Sequence, residues 1–195
     1  MTRRRHLFRP SARGGFDVEL REDERALLAA LPARLIAALE RVGASDAPVP
    51  ESLRRLLPPA YLTDAAAESA YVRLVRSELV AEHRAALDLL VATAGTTHLR
   101  ASELESWLLA VNDLRLVLGT SLEVTEDVRE LDPDDARYGE WVCYHYLSYL
   151  AEEAVEALSG LLPPANPLAG DDLPDDPWGD PPGGLRWDGT PAPGG

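Results

Sequence analysis

Lysine is missing from all 195 residues, and the 19 cations are arginines. That habit fits GC-rich coding as well as any function and excludes nothing. The scarcity of cysteine excludes more. Cys143 stands alone, which rules out an intrachain disulfide and suits a reducing cytosol. No apolar run reaches about 18 residues, the length a membrane-spanning helix needs. Arg3, Arg4 and Arg5 are not followed by an apolar stretch, so the N-terminus does not read as a signal peptide. A cytoplasmic protein with no membrane contact is expected.

Motifs for chemistry are also scarce. There is no glycine-rich phosphate loop: Gly14-Gly15 reads as a turn, and Gly183-Gly184 lies in a low-complexity tail. No serine sits in a nucleophile elbow. His6, His83, His98 and His145 fall in four separate segments, without the paired spacing a zinc site uses. Cys143 and His145 are two apart, so on a helix they point in different directions. No catalytic residue, metal ligand or cofactor is expected, and the chain does not read as an enzyme.

What remains is a chain that is 46% hydrophobic with a formal net charge of −14. Residues 1–15 carry five arginines and no acid, whereas residues 171–188 carry six aspartates and one arginine. An acidic middle repels phosphate backbones. Nucleic-acid contact would fall to the arm holding Arg3, Arg4, Arg5 and Arg9.

The segments around Leu7-Phe8 and Phe16–Leu20 alternate in part, with Pro10, Gly14 and Gly15 between them. They read as a small hairpin that must pack on helices. A helical stripe follows over residues 21–42, interrupted by Pro32. There the helix kinks, or a second one begins with Pro32 in its first turn. Pro50–Leu57 reads as a short helix, and Thr63 or Asp64 as the cap of a long one ending near Thr93. Ser102–Thr120 is the most specific stretch. Ser102 and Glu105 have the spacing of a capping box, and Leu104, Trp107, Leu108, Val111, Leu114 and Leu118 share one face. Gly119 sits where a left-handed residue would close the helix. Thr125-Glu126-Asp127 reads as a short helical turn. Asp132-Pro133 reads as the start of a last helix, running to about Leu162, with Cys143, Leu147, Leu150, Ala154 and Leu158 on its apolar face.

After Pro163 the composition changes: nine of the 16 prolines and eight of the 14 glycines lie between Gly160 and Gly195. The expected organisation has three parts. Residues 1–15 are an arginine-rich arm with the start of the hairpin, residues 16–162 a helical domain, and residues 163–195 a disordered acidic tail. The fold class is mainly α, a helical bundle with an N-terminal β-hairpin.

Two features allow a structural and a functional reading. Asn112, Asp113 and Arg115 interrupt an apolar helix, either as hydrogen-bonding partners of neighbouring helices or as a surface for a partner. Cys143 on the apolar face is either a small core residue or a redox thiol, and burial would keep it protonated and inert.

The run Trp107-Leu108-Leu109-Ala110-Val111-Asn112-Asp113-Leu114-Arg115-Leu116-Val117-Leu118-Gly119-Thr120 resembles the signature of an actinobacterial family of unknown function. Its members are typically encoded beside the ClpS protease adaptor, and it includes the oxidative-stress transcriptional regulator AosR. Arg55–Tyr61 and the aromatic helix from Tyr138 to Leu158 are similar to the same family in the same order, over about residues 5–160. The resemblance implies a protein-binding regulator acting with RNA polymerase through a sigma factor, or with Clp components. It also implies an oxidant-sensing pair of cysteines four apart. Here the positions four from Cys143 are Gly139 and Leu147, so no intramolecular disulfide switch carries over. The expectation is a non-enzymatic regulatory or adaptor protein working through another protein. The alternatives are a redox-responsive regulator using its arginine arm on DNA and, more remotely, an enzyme built on unplaced acids. The sequence leaves the oligomeric state open.

Overall fold

A computed structural model describes residues 5–45, 47–61, 63–124 and 131–161. Residues 65, 67–70 and 72–74 are described by their backbone alone. The tail from residue 163, the turn at Thr125–Asp127, and Arg3 and Arg4 lie outside the described residues.

The chain opens with strands β1 (Phe8–Pro10) and β2 (Phe16–Val18), paired antiparallel with Phe8 opposite Val18. Gly14 and Gly15 turn between them at φ 81 and 69, values that L side chains rarely adopt. Gly15 has a second constraint: a Cβ there would stand 2.3 Å from the Leu99 carbonyl oxygen. That carbonyl belongs to β3 (His98–Leu99), which adds to the far side of β2 with Leu99 opposite Phe16. The third strand is two residues long, too short to carry a periodic signal.

Helices α1 (Glu22–Ala30) and α2 (Ala33–Gly43) resolve the question at Pro32, because the helix breaks. Pro32 has no N–H for the bond that would continue α1. Its φ of −64 suits a helix start, and its carbonyl accepts from Ile36 N at 2.9 Å. The short helix expected over Pro50–Leu57 is a single 3-10 turn at Glu51–Leu53, followed by two tight turns. Next comes α3 (Ala65–Thr93), 29 residues and about 44 Å at 1.5 Å per residue. Asp64 Oδ1 accepts the Ala66 N–H at 3.0 Å, the capping role expected of it.

Helix α4 (Ala101–Ser121) corrects two expectations. It begins before Ser102, which is exposed inside the first turn. The cap position is Arg100, and Glu103 reaches back to accept the Arg100 N–H at 2.8 Å. The same half-box starts α1, where Glu24 accepts the Arg21 N–H at 2.7 Å. The strand β3 fixes where the chain turns into α4, and so places Arg100 at the cap. Nor does Gly119 end α4. It is buried within the helix, and a Cβ there would lie 3.2 Å from the Tyr144 ring. Glu123 takes the left-handed position at φ 54. Val124 N then bonds Gly119 O at 2.9 Å, and Glu123 N bonds Thr120 O at 3.3 Å, the pair of bonds that closes a helix this way.

Helix α5 (Tyr138–Ser159) starts later and stops earlier than its sequence suggests. The Asp132-Pro133 segment makes turns instead, with Asp134 N on Asp132 Oδ1 at 3.0 Å. Along α5, Leu147, Leu150 and Ala154 are buried as expected, while Cys143 and Leu158 are half-buried.

Helix α4 packs against α3 on one side and α5 on the other. Gly119, near the end of α4, meets Tyr144, near the start of α5, so the two run antiparallel. The core gathers around Trp107, whose ring meets Phe8 edge-on at 6.1 Å and whose Nε1 donates to Thr93 Oγ1 at 2.7 Å. Arg25 on α1 ties the layers together. Its guanidinium donates to Ala94 O and Thr96 O, in the turn just after α3, and to Leu20 O and Val18 O ahead of α1. The described chain is thus mainly helical with a small antiparallel sheet, the class its periodicity predicts.

Candidate functional site

The polar interruption of α4 divides between two faces. Asp113 turns inward and is 1% exposed. It meets His83 Nδ1 of α3 at 2.6 Å. The hydrogen bond to Asp113 pushes the His83 pKa up, against burial, which pulls it down. Burial pushes the Asp113 carboxyl up in turn, against the pull of the imidazole. The pair shares a proton between two helices, as a buried carboxylate requires.

Asn112 and Arg115 turn outward, away from that pair. Arg115 Nη2 donates to Asn112 Oδ1 at 3.0 Å. Both line a groove of about 830 Å³ between α4 and α5. One wall is Glu105, Leu108, Leu109, Asn112 and Arg115, one face of α4 at helical spacing. The other is Ala151, Glu152, Val155 and Glu156 on α5. The groove surface is mostly apolar, and Val155 in it is 49% exposed. Sequence reasoning found Asn112 and Arg115. It missed Ala151, Glu152 and Val155, because periodicity along one helix does not reveal the register of its neighbour.

The remaining candidates lie elsewhere. Cys143 is half-buried, and its thiol pKa is pushed up by burial and then by the charge of Glu140. A thiol held that way reacts slowly. His145 lies 4.1 Å from the Trp141 ring centroid rather than beside the sulfur in an acid–base contact. Of the arginine arm, Arg5 forms a two-pronged bond to Glu24, with Nη1 on Oε1 and Nη2 on Oε2, each at 3.0 Å, and also donates to Glu19 O. Arg9 pairs with Glu19 at 3.1 Å. Both described arm residues therefore face glutamates of this chain.

Three groups of metal-ligand type do come together, which the sequence spacing gives no hint of. His6, Glu153 and Glu156 place ligand atoms within 4.8 Å of one another. Glu153 Oε2 accepts the Leu7 N–H at 3.0 Å and stands 3.6 Å from His6 Nδ1. With Tyr149 Oη donating to Arg5 O, this fastens the N-terminal segment to α5. His98 meets Asp17 at 3.3 Å, a part-buried contact on the sheet with no serine bonded to the imidazole among the described residues.

Among the described residues no helix is long and apolar enough to cross a membrane. No curated protein matches the chain, and no solved structure does. A family model does match, over residues 2–158, and its description is a domain of unknown function, DUF2017. With most of its length covered by that match, the chain belongs to the DUF2017 family.

Proposed function

We propose that this is a non-enzymatic regulatory or adaptor protein that works by holding another protein in the α4–α5 groove. The observation that supports the reading is the groove itself. Two long helices line it with apolar side chains: Val155 is exposed, Leu108 and Leu109 are half-buried, and Ala151 closes the base. Exposed apolar surface of this kind, rimmed by polar groups, marks interaction sites on soluble proteins.

The family resemblance extends the proposal to a cytoplasmic role in transcription under oxidative stress, with an RNA polymerase sigma factor or Clp components as the partner. The DNA-contacting alternative would need Arg5 and Arg9 to leave Glu24 and Glu19, and a redox role would need a reactive Cys143. An enzymatic reading would need an acid–base or nucleophile pair within the groove walls.

The test is comparative co-purification. Tagged protein should recover an identified partner from its native cytosol, and Val155→Glu should recover at least about tenfold less, a loss near 1.4 kcal/mol. Equal recovery by the variant would move the contact off this groove and overturn the reading.

A further inference from the structure

The charges around the groove say what kind of segment fits it. Glu105 stands at one end of the α4 wall and Arg115 at the other, ten residues on and so about 15 Å away along the axis. Glu152 and Glu156 lie on the α5 wall, and the apolar floor of Leu108, Leu109 and Val155 runs among these charges. A channel three turns long, open to solvent and flanked by two helices, is the shape that receives a third helix through residues at i, i+3, i+4 and i+7. Arg115 is half-buried and donates to a neutral amide oxygen, that of Asn112; among the described residues no carboxylate pairs with it. A half-buried guanidinium gains most from a carboxylate delivered by a ligand.

We propose that the groove takes an amphipathic helix of a partner protein, basic over Glu105 and Glu152 and acidic over Arg115. The assignment rests on the protein-binding reading above. The helix lies along the groove with its apolar stripe on Leu108, Leu109 and Val155. Net charge favours a basic partner, since the chain as a whole carries −14. The chain's own C-terminal segment fits poorly: residues 171–188 hold six aspartates, which would meet Glu105 and Glu152. Residues 1–4 match in charge but bring one large apolar side chain, Met1, where a stripe is needed.

The experiment uses the full chain and labelled helical peptides of about five turns, followed by fluorescence anisotropy. The first peptide has a leucine stripe with arginines in one half and a glutamate near the far end. The second keeps the stripe and swaps the charge order onto the arginine-facing end. The third scrambles the stripe. The first should bind at least about tenfold tighter than the second, and the third should not bind. In Arg115→Glu the first peptide should weaken about fivefold or more, and a peptide with arginine in place of its glutamate should recover the loss; a circular-dichroism melt checks that the variant folds. Equal affinity for both charge orders, or no binding by any peptide, overturns the helix assignment. So does a dimer of this chain cross-linked groove to groove. If no peptide binds while Val155→Glu still loses its partner in co-purification, protein binding at the groove stands and the helix falls. If neither responds, both fall.

Discussion

His83 and Asp113 join α3 to α4 by one short contact inside an otherwise apolar seam. The His83 pKa is raised above its ordinary 6.5, chiefly by the hydrogen bond to the Asp113 carboxylate. The folded state therefore holds this proton more tightly than the unfolded chain does. The stability gained is fully present below pH 6.5 and is lost as pH rises through the raised value. His83→Gln should remove that loss, so its melting temperature should vary less than wild type from pH 6.5 upward. Near neutral pH the variant should be less stable by about 1–3 kcal/mol, the range for a hydrogen bond to a charged group. Parallel melts of the two proteins across that pH range provide the check. Equal slopes would mean that the pair does not share a proton as described. Asp113 shows what a single letter conceals. Its place within an apolar run marks it as unusual, but its partner is 30 residues away on another helix, and only the packing of α3 on α4 brings them together.

At the scale of elements, periodicity carries the most information. The stripes of α4 and α5, the length of α3 and the break at Pro32 all follow from helical spacing and from the missing proline N–H. Helix ends are less legible. Ser102 and Glu105 match the capping box by residue type, yet the working contact is Glu103 on the Arg100 N–H. A shift of two residues in the start is invisible to a stripe but is set by β3, which delivers the chain to α4 at Leu99. The two schemes differ in what a mutation does. Glu103→Ala should destabilise the protein by about 1 kcal/mol, the usual size of a lost cap. Ser102→Ala, now inside the first turn and exposed, should be neutral or slightly stabilising, because alanine is the better helix former. Denaturant titrations of both variants decide it, and a larger loss for Ser102→Ala would restore the sequence-based cap. Gly119 belongs with the same lesson. Its position near a helix end suggests a stop, whereas its lack of a side chain lets α5 bring Tyr144 close.

For the whole molecule, the fold class was legible and the groove half so. Asn112 and Arg115 stand out on α4 because they interrupt leucines, and the groove is where two of the three interruptions lead. The opposing wall was hidden, since Ala151, Glu152 and Val155 read as ordinary surface and seam residues of α5. Contacts far apart in sequence fasten the rest of the described chain: Arg25 ties α1 to the end of α3, Glu24 holds Arg5, and Glu153 of α5 holds the Leu7 N–H. The central claim is that the α4 and α5 walls hold another protein. Photo-cross-linking in the native cell tests it most directly, with a photoreactive residue at Leu109 or Val155 and, as controls, at the exposed Arg34 and Asp88. The account predicts one discrete cross-linked protein, the same from both groove positions and absent from both controls. Cross-links that are absent, or that are identical from all four positions, would contradict it.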